Sequence, residues 1–310
     1  MPMPGPEDIV LHHYDRSPFS QKVRELLGMK GLAWHSVQMP DRMPKPDLVP
    51  LTGGYRRAPV MQIGADVYCD SQVIMAEIER RHPEPATDIG PGWAVNLWAD
   101  RLFFPPTVAI IFGSMGDRVD PGFVADREKL SGRPFDVAAM GRAVEPAKTQ
   151  WRAFAGWIEQ ALNSTDFLAG ERPGIADVAA HMNIWFLANT FPDLAEELLE
   201  GLPQVAKWRE RLAGCGQGER NEITGSEALD LARKCEPAPC PVAHDPVSAS
   251  GMDSGAEVVV MADDYGRDPI AGTLVAASPE RIVIARDDGD LGAMQLHFPR
   301  AGFVLLPNGG

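Results

Sequence analysis

The stretch YDRSPFSQKVRELL, residues 14–27, decides the fold because it marks the junction between a strand and a helix. Ser17 is a favourable N-cap residue, Pro18 suits the first helical position, and apolar residues follow at helical spacing. The apolar run in residues 8–14 predicts the strand, so Tyr14 and Ser17 should lie together where it meets the helix. A helix N-terminus stabilises an anion, and a serine hydroxyl can donate a hydrogen bond to it. We therefore predict a site that activates a thiolate supplied by a ligand.

The charge balance of the chain argues against several classes of partner. Its 310 residues carry 29 Lys and Arg against 43 Asp and Glu, a net charge of -14. This excess of negative charge disfavours nucleic acid and anionic membrane surfaces. No run of about 18 apolar residues occurs, and the opening MPMPGPEDIV lacks the basic and apolar regions of a signal peptide. We predict a cytoplasmic protein with no nucleic-acid or membrane partner.

The cysteines and histidines predict neither a disulfide framework nor a metal site. Four cysteines in a chain of this length are expected to be free thiols. Cys235, Cys240 and His244 fit no standard zinc spacing, and the adjacent His12 and His13 should point to opposite faces of a strand. Cysteine is usually a small buried residue, so we expect burial of Cys69, although it lies near the predicted ligand site.

Three regions with different periodicities follow one another along the chain. Residues 8–82 alternate strands and helices in the order βαβ and then ββα. Residues 92–231 show only the helical spacing of apolar residues. After a linker rich in Pro, Gly and Ser, about five β-like runs predict a small barrel or rolled sheet. The predicted units are residues 1–85, 90–234, the linker 235–255 and 256–310.

Four local motifs together resemble the cytosolic glutathione S-transferase superfamily over roughly residues 8–215. They are SPFSQKVR at the first helix, RRAPV before the third strand, YCDSQ at the third helix, and LAGERPGIADVAAHMNIW in the helical region. The resemblance implies an α+β multidomain fold, in which a thioredoxin-like βαβ-ββα domain binds glutathione as co-substrate and an all-helical domain follows. It also implies a homodimer, and it is silent about the β-rich tail.

The resemblance assigns roles to particular residues of this chain. Pro59 matches the family's cis-proline, which would turn the backbone of Ala58 towards a peptide ligand. Asp70 and Ser71 match the pair that holds the γ-glutamyl end of glutathione: Asp70 would meet the ammonium, and the Ser71 N–H the carboxylate. Capping of the third helix by Ser71 is an alternative on local grounds. The residues expected to bind glutathione are Phe19, Arg57, Ala58, Pro59, Asp70 and Ser71.

Ser17 and Tyr14 are the two candidates for the residue that activates the glutathione thiol. Ser17 and Ser20 stand where thiol-transferase-like classes have cysteines, so dithiol exchange at this helix is excluded. Ser17 is preferred, and Tyr14 is the rival because another branch of the superfamily uses a tyrosine from that region. A third interpretation is that Ser17 only caps its helix, in a family member that has lost catalysis.

The second substrate implied by the resemblance is a small apolar electrophile bound between the domains. Trp93, Trp98, Phe103 and Phe104 are candidates for its pocket, although aromatic residues at helical spacing also form cores. Conjugation is the default reaction, and isomerisation, dehalogenation or ether cleavage would use the same activated sulfur. The competing class is a noncatalytic binding or assembly module that uses the β-rich tail as its interaction surface.

Two further features concern positions outside the proposed catalytic residues. Asp177 matches a helix-start motif and should reach back to the N–H of Gly174, a structural role. The acidic turns at 263–264 and 287–290 lack the spacing of a calcium loop, and we expect them to be solvated. The tail that carries them could cap the mouth of the site, bind a partner or strengthen a dimer, and its sequence does not choose among these.

Overall fold

The N-terminal region has the predicted thioredoxin-like order of elements. We describe residues 3–309 from a computed structural model. The elements of this region are β1 (Val10–His13), α1 (Pro18–Met29), β2 (Ala33–Gln38), α2 (Val49–Thr52), β3 (Val60–Ile63), β4 (Asp66–Cys69) and α3 (Ser71–Arg81). β1 pairs in parallel with β2 and antiparallel with β3, and β3 and β4 form the predicted hairpin. The sequence therefore predicted this region correctly.

A bundle of helices follows, as predicted. Its members are α4 (Gly92–Trp98), α5 (Phe104–Met115), α6 (Pro121–Ser131), α7 (Val137–Ala161), α8 (Ile175–Thr190), α9 (Pro192–Leu199) and α10 (Pro203–Gly214). A π-helical turn, Ala99–Phe103, joins α4 to α5 just before Pro105 and Pro106, which lack the amide donors of a regular helix. Trp151 and Trp208 are fully buried in the core of this bundle.

One strand lies in the region that the sequence predicts to be helical. This strand, β5 (Glu219–Glu222), is followed by α11 (Gly225–Arg233) and pairs in parallel with β2. Its sequence is ERNE, and none of its residues is buried. Strand periodicity reports burial of one face, so a strand with no buried residue gives no such signal.

The C-terminal tail contains five strands, as predicted, but they extend the N-terminal sheet. They are β6 (Glu257–Ala262), β7 (Ile270–Ala277), β8 (Arg281–Asp288), β9 (Gly292–Pro299) and β10 (Phe303–Pro307). Where the sequence predicts a small barrel-like unit, β9 pairs in parallel with β4. The described strands form one sheet of order β10-β6-β7-β8-β9-β4-β3-β1-β2-β5. The physical reason is that β4 would otherwise expose an unpaired edge.

A buried histidine–carboxylate contact and a buried ion pair fasten the tail to the N-terminal region. His297 Nε2 lies 2.8 Å from Asp66 Oδ1, and Tyr68 stacks on the same imidazole with ring centroids 4.4 Å apart. Arg281 Nη1 donates to Glu77 Oε2 over 2.9 Å. Carboxylates buried to this degree require such partners, so the tail is an integral part of the sheet. The boundaries assigned to separate domains stay predictions.

The start of α8 confirms the expected structural role of Asp177. Its Oδ2 accepts a hydrogen bond from the Gly174 N–H over 2.9 Å. Its Oδ1 accepts from the Leu168 N–H over 2.9 Å and from the Trp208 indole over 2.7 Å. A Cβ atom at Gly174 would lie 2.6 Å from the carbonyl oxygen of Thr87. This contact explains why glycine stands where a serine or threonine usually caps.

Two buried histidines in β1 bond to different neighbouring strands. His12 Nε2 lies 3.1 Å from Gln62 Oε1, and His13 Nε2 lies 2.9 Å from Ser36 Oγ. Burial lowers the pKa of His12 to about 4. Burial, together with the Arg24 guanidinium, lowers the pKa of His13 to about 3. Both imidazoles are therefore neutral in the folded chain at neutral pH.

We expect the free energy of unfolding to fall as the pH drops below about 6.5, the ordinary pKa of histidine. The unfolded chain then takes up protons that folded His12 does not bind until about pH 4. Each such histidine removes about 1.4 kcal/mol of stability per pH unit in this window, and its contribution is fully present above it. Urea unfolding between about pH 7 and pH 5 measures the slope, and His12→Gln should reduce it by about one proton. Equal slopes in the two proteins would contradict this account.

Candidate functional site

A cleft of about 900 Å³ lies between the thioredoxin-like region and the helical bundle. The predicted site residues that line it are Tyr14, Ser17, Phe19, Arg57, Ala58, Asp70 and Ser71. Pro59 is not part of the lining, but the Ala58–Pro59 peptide bond is cis, as predicted. The N-terminal residues of α1 and α3 both face this cleft. The structure thus brings the predicted residues together, while their roles in binding and catalysis stay predictions.

Ser17 caps α1 and keeps a hydrogen to donate. The Ser20 N–H donates to Ser17 Oγ over 3.2 Å, and the Gln21 N–H donates to the Ser17 carbonyl over 2.9 Å. The residue is 1% exposed, yet it lines the cleft. Because the hydroxyl oxygen accepts from the backbone, its hydrogen can be donated either to the neighbouring Tyr14 hydroxyl or to an acceptor placed in the cleft.

Tyr14 presents a second hydroxyl to the same part of the cleft. Burial raises the pKa of its phenol. The Arg127 guanidinium and a side-chain hydrogen bond with Ser17 counteract part of that rise. The phenol is therefore protonated at neutral pH. Both candidate hydroxyls, on Tyr14 and Ser17, are donors.

Asp70 has two protein partners within the site. Its Oδ1 accepts from the Gln72 N–H over 2.9 Å, and its Oδ2 lies 3.2 Å from Arg57 Nη2. The N-cap of α3 is therefore Asp70, and the alternative that Ser71 caps this helix is wrong. A carboxylate accepts more than two hydrogen bonds, so Asp70 can also receive an ammonium group. Ser71 occupies the first helical position, where an N–H has no acceptor within the helix.

The opposite wall of the cleft is apolar and aromatic. Its residues, from the helical bundle, are Phe104, Val108, Phe112, Phe123, Leu130, Phe135, Met140 and Phe186. Phe112, Phe123 and Phe135 pack against one another with ring centroids 5.1, 5.4 and 5.9 Å apart. Such a surface favours an apolar or aromatic ligand by removing it from water.

The four aromatic residues predicted for this wall divide between the cleft and the core. Phe104 lines the cleft. Trp93 packs against the N-terminal core, while Phe103 is fully buried in the helical core with Trp98 beside it. The sequence did not identify the residues of α5 beyond Phe104 that line the cleft, such as Val108 and Phe112. The available signal is the run VAIIF, residues 108–112, which is apolar on more sides than one core-facing stripe requires.

The acidic turn between β6 and β7 belongs to the cleft and is not simply solvated. Asp264 and Tyr265 line the cleft. Asp263 Oδ1 lies 2.6 Å from Arg101 Nη2, and Asp264 Oδ1 lies 3.5 Å from Arg57 Nη1. The expectation of a solvated turn is wrong here because both aspartates pair with arginines of the cleft. A local pattern could not report these contacts, since the arginines are more than 150 residues away in sequence. Of the roles left open for the tail, this contact favours capping the mouth of the site.

The cysteines take no part in the cleft lining. All four are free, and Cys69 is buried as expected. Burial raises the pKa of the Cys69 thiol well above its ordinary value, which makes it a poor nucleophile. Within residues 3–309, no group of three or more His, Cys, Asp and Glu side chains is arranged to hold a metal ion. In the same range, no helix has the length and apolar character needed to cross a bilayer.

A buried ion pair next to the cleft joins α1 to the helical bundle. Lys22 Nζ donates to Asp100 Oδ1 and to Asn96 Oδ1, each over 2.9 Å, and the Lys22 side chain is 0% exposed. Asp100 itself lines the cleft. Burial raises the pKa of the Asp100 carboxyl, and the Lys22 ammonium opposes that rise. The pair ties α1 to the helical bundle and so helps to hold the Ser17 end of α1 in place.

We expect Lys22→Met to destabilise the protein by about 3–5 kcal/mol, because it leaves the Asp100 carboxylate buried without its cation. Replacing both partners, as Lys22→Met with Asp100→Leu, should recover most of that loss. Lys148→Met is the matched control, since Lys148 pairs with an exposed carboxylate, Glu145, and such pairs contribute about 0–1 kcal/mol. Urea unfolding measures all three. If the single variant unfolds like the control, the pair does not support the cleft.

A thioredoxin-like region with a cis peptide bond before Pro59 faces a helical bundle across one cleft, the architecture of a two-domain transferase-like fold. Residues 11–86 match the family described as glutathione S-transferase, N-terminal domain, and residues 141–211 match its C-terminal domain. A GST-like protein of known structure from Pseudomonas syringae is 33% identical, with a TM-score of 0.78, over 97% of this chain and 99% of that one. The chain therefore belongs to the glutathione S-transferase family.

Two further relatives are more distant. FtsZ-localized protein A from Caulobacter vibrioides is 28% identical over 180 residues, which is 56% of this chain and 75% of that protein. A glutathione transferase family member from Pseudomonas fluorescens, solved with two glutathione bound, is 17% identical with a TM-score of 0.50. That match covers 69% of this chain and 90% of the other, and it shows a shared fold.

Proposed function

We propose that this protein binds glutathione on the thioredoxin-like side of the cleft and activates its thiol for attack on an apolar electrophile. The observation that carries the proposal is the convergence of two helix N-termini, at Ser17 and Ser71, on a cleft whose opposite wall is aromatic. A thiolate and a carboxylate are both anions, and each is favoured at a helix N-terminus. Membership of the glutathione S-transferase family supports glutathione as the ligand.

The charged groups near α3 complement the γ-glutamyl end of glutathione. Asp70 offers a carboxylate to the ligand's ammonium group, and Arg57 with the Ser71 N–H offers positive partners to its carboxylate. Ala58, next to the cis peptide bond, offers backbone groups to the peptide part of the ligand. Phe19 adds an apolar contact at the start of α1. Each of these residues lines the cleft.

Ser17 activates the sulfur by donating its hydroxyl hydrogen to it. The thiol proton leaves to solvent, and the thiolate is stabilised by this hydrogen bond and by the N-terminus of α1. A hydrogen bond to a charged group contributes about 1.5–3 kcal/mol, which corresponds to a fall of about 1–2 units in the thiol pKa. The thiolate then forms a bond to the electrophilic carbon, and the leaving group departs with the bonding electron pair. Conjugation is the reaction proposed, and isomerisation, dehalogenation and ether cleavage would begin from the same thiolate.

Ser17→Ala should raise the pKa of bound glutathione thiol by about 1–2 units, because the donor to sulfur is lost. Tyr14→Phe removes only a hydroxyl from the same region and serves as the matched variant, for which we expect an unchanged thiol pKa. Calorimetry establishes binding, and ultraviolet absorbance of the thiolate against pH measures the pKa. A rise with Tyr14→Phe alone would transfer the role to Tyr14. Failure of the native protein to bind millimolar glutathione would remove the enzyme proposal.

A second candidate function is a noncatalytic binding or assembly module, with the β-rich tail as interaction surface. The similarity to FtsZ-localized protein A favours this candidate. It predicts that the full chain sediments with polymerised FtsZ and that Ser17→Ala sediments equally well, because the assembly surface would lie on the tail. Sedimentation equal to that of an unrelated protein of similar size would remove this candidate.

The family resemblance also supports a homodimer and a cytoplasmic location. Light scattering of the purified full chain measures its mass against the 33.7 kDa of a single chain. Fractionation of cells that express the tagged chain tests the location. A monomer across micromolar to millimolar protein concentrations would contradict the dimer.

A further inference from the structure

Three arginines that line the cleft are paired with aspartates of one loop, residues 263–268. Arg101 lies 2.6 Å from Asp263, Arg57 lies 3.5 Å from Asp264, and Arg56 lies 3.2 Å from Asp268. This loop joins β6 to β7, so these contacts come entirely from the C-terminal tail. The tail therefore adds a carboxylate partner to each of three cleft arginines. Arg56 and Arg57 also pair with Asp126 and Asp70, and Arg101 also lies 3.3 Å from Asp264.

The loop also contacts Arg57 through a backbone hydrogen bond and through close packing at Gly266. Arg57 Nη1 donates to the carbonyl oxygen of Tyr265 over 2.9 Å. Gly266 has φ of +64°, and a Cβ atom there would lie 3.1 Å from Arg57 Cδ and 2.9 Å from Leu130 Cδ1. A glycine is needed both for this backbone conformation and for this contact. The loop thus spans the cleft mouth from Arg57 to α6.

Arg57 is held from two sides by carboxylates. Its Nη2 meets Asp70 at 3.2 Å, and its Nη1 meets Asp264 and the Tyr265 carbonyl. If Asp264 were absent, the guanidinium could turn both nitrogens towards Asp70, since paired bonds to one carboxylate are the preferred geometry of arginine. Asp70 would then be saturated, and Arg57 would be drawn away from the tail-facing side of the cleft.

We infer that Asp264, from the C-terminal tail, is a positioning residue for glutathione: it holds Arg57 so that Arg57 and Asp70 meet opposite charges of the γ-glutamyl group. This inference rests on the proposed function. The tail then contributes to glutathione binding without touching the ligand, because Asp264 acts by positioning Arg57. We also expect that Asp264 no longer affects the affinity for glutathione once Arg57 is replaced by a residue without a guanidinium group.

A double-mutant cycle in the full chain tests the inference, with the dissociation constant of glutathione measured by calorimetry. We expect Asp264→Asn to weaken binding about tenfold, the scale of one hydrogen bond to a charged group. Asp264→Glu should restore most of the affinity. In the Arg57→Lys background, Asp264→Asn should have little further effect, because coupled residues are not additive. Asp287→Asn, the same change at an exposed position of another tail turn, is the control and should bind like the native protein.

The outcomes separate this inference from the proposed function. Native protein that binds glutathione, with Asp264→Asn binding equally well, would overturn the inference and leave the proposed function intact. Additive losses from Asp264→Asn and Arg57→Lys would also overturn it, because a merely structural loop predicts additivity. If the native protein does not bind glutathione, both fail. Thermal unfolding of each variant checks the fold, and Asp264→Glu, which keeps the charge, provides the comparison if Asp264→Asn is unstable.

Discussion

The pairing of β9 with β4 is the constraint on which the rest of the structure depends. It converts the edge strand of the thioredoxin-like region into an interior strand, and it is reinforced by the buried contact between Asp66 and His297. Residues of the tail and of the N-terminal region share one hydrophobic core, in which Leu51 and Val67 belong with Ile282 and Leu296. Neither part buries this surface alone. The tail is therefore held at a fixed position relative to the cleft.

That fixed position explains how a loop from the tail comes to face α1 and α3. Once β6 and β7 belong to the same sheet as β4, their connection extends over the mouth of the cleft. The acidic residues of the connection then pair with Arg57 and Arg101. The extension of the sheet therefore also places the aspartates that pair with the cleft arginines.

Buried ions recur at the points where separate regions meet. Lys22 with Asp100 joins α1 to the helical bundle, and Glu77 with Arg281 joins α3 to β8. Such pairs add little net stability over apolar contacts, but a buried charge without its partner is costly. They therefore penalise any arrangement that separates the regions. The cleft-facing ends of α1 and α3 are held in fixed positions by this penalty.

The local contacts of this protein could be predicted from its sequence, and the long-range contacts could not. The Ser17 cap, the hairpin, the Asp177 contact and the cis bond before Pro59 follow from short motifs or from a family pattern carried by them. Strand β5 has no buried residue, and the partners of Asp264 lie far away along the chain, so no local pattern reports either. The sequence by itself determined most of the elements and identified cleft residues such as Ser17 and Asp70, because capping and periodicity act within a few residues. Only the tertiary structure decided that the tail joins the site, because strand pairing and charge pairing depend on distance in space.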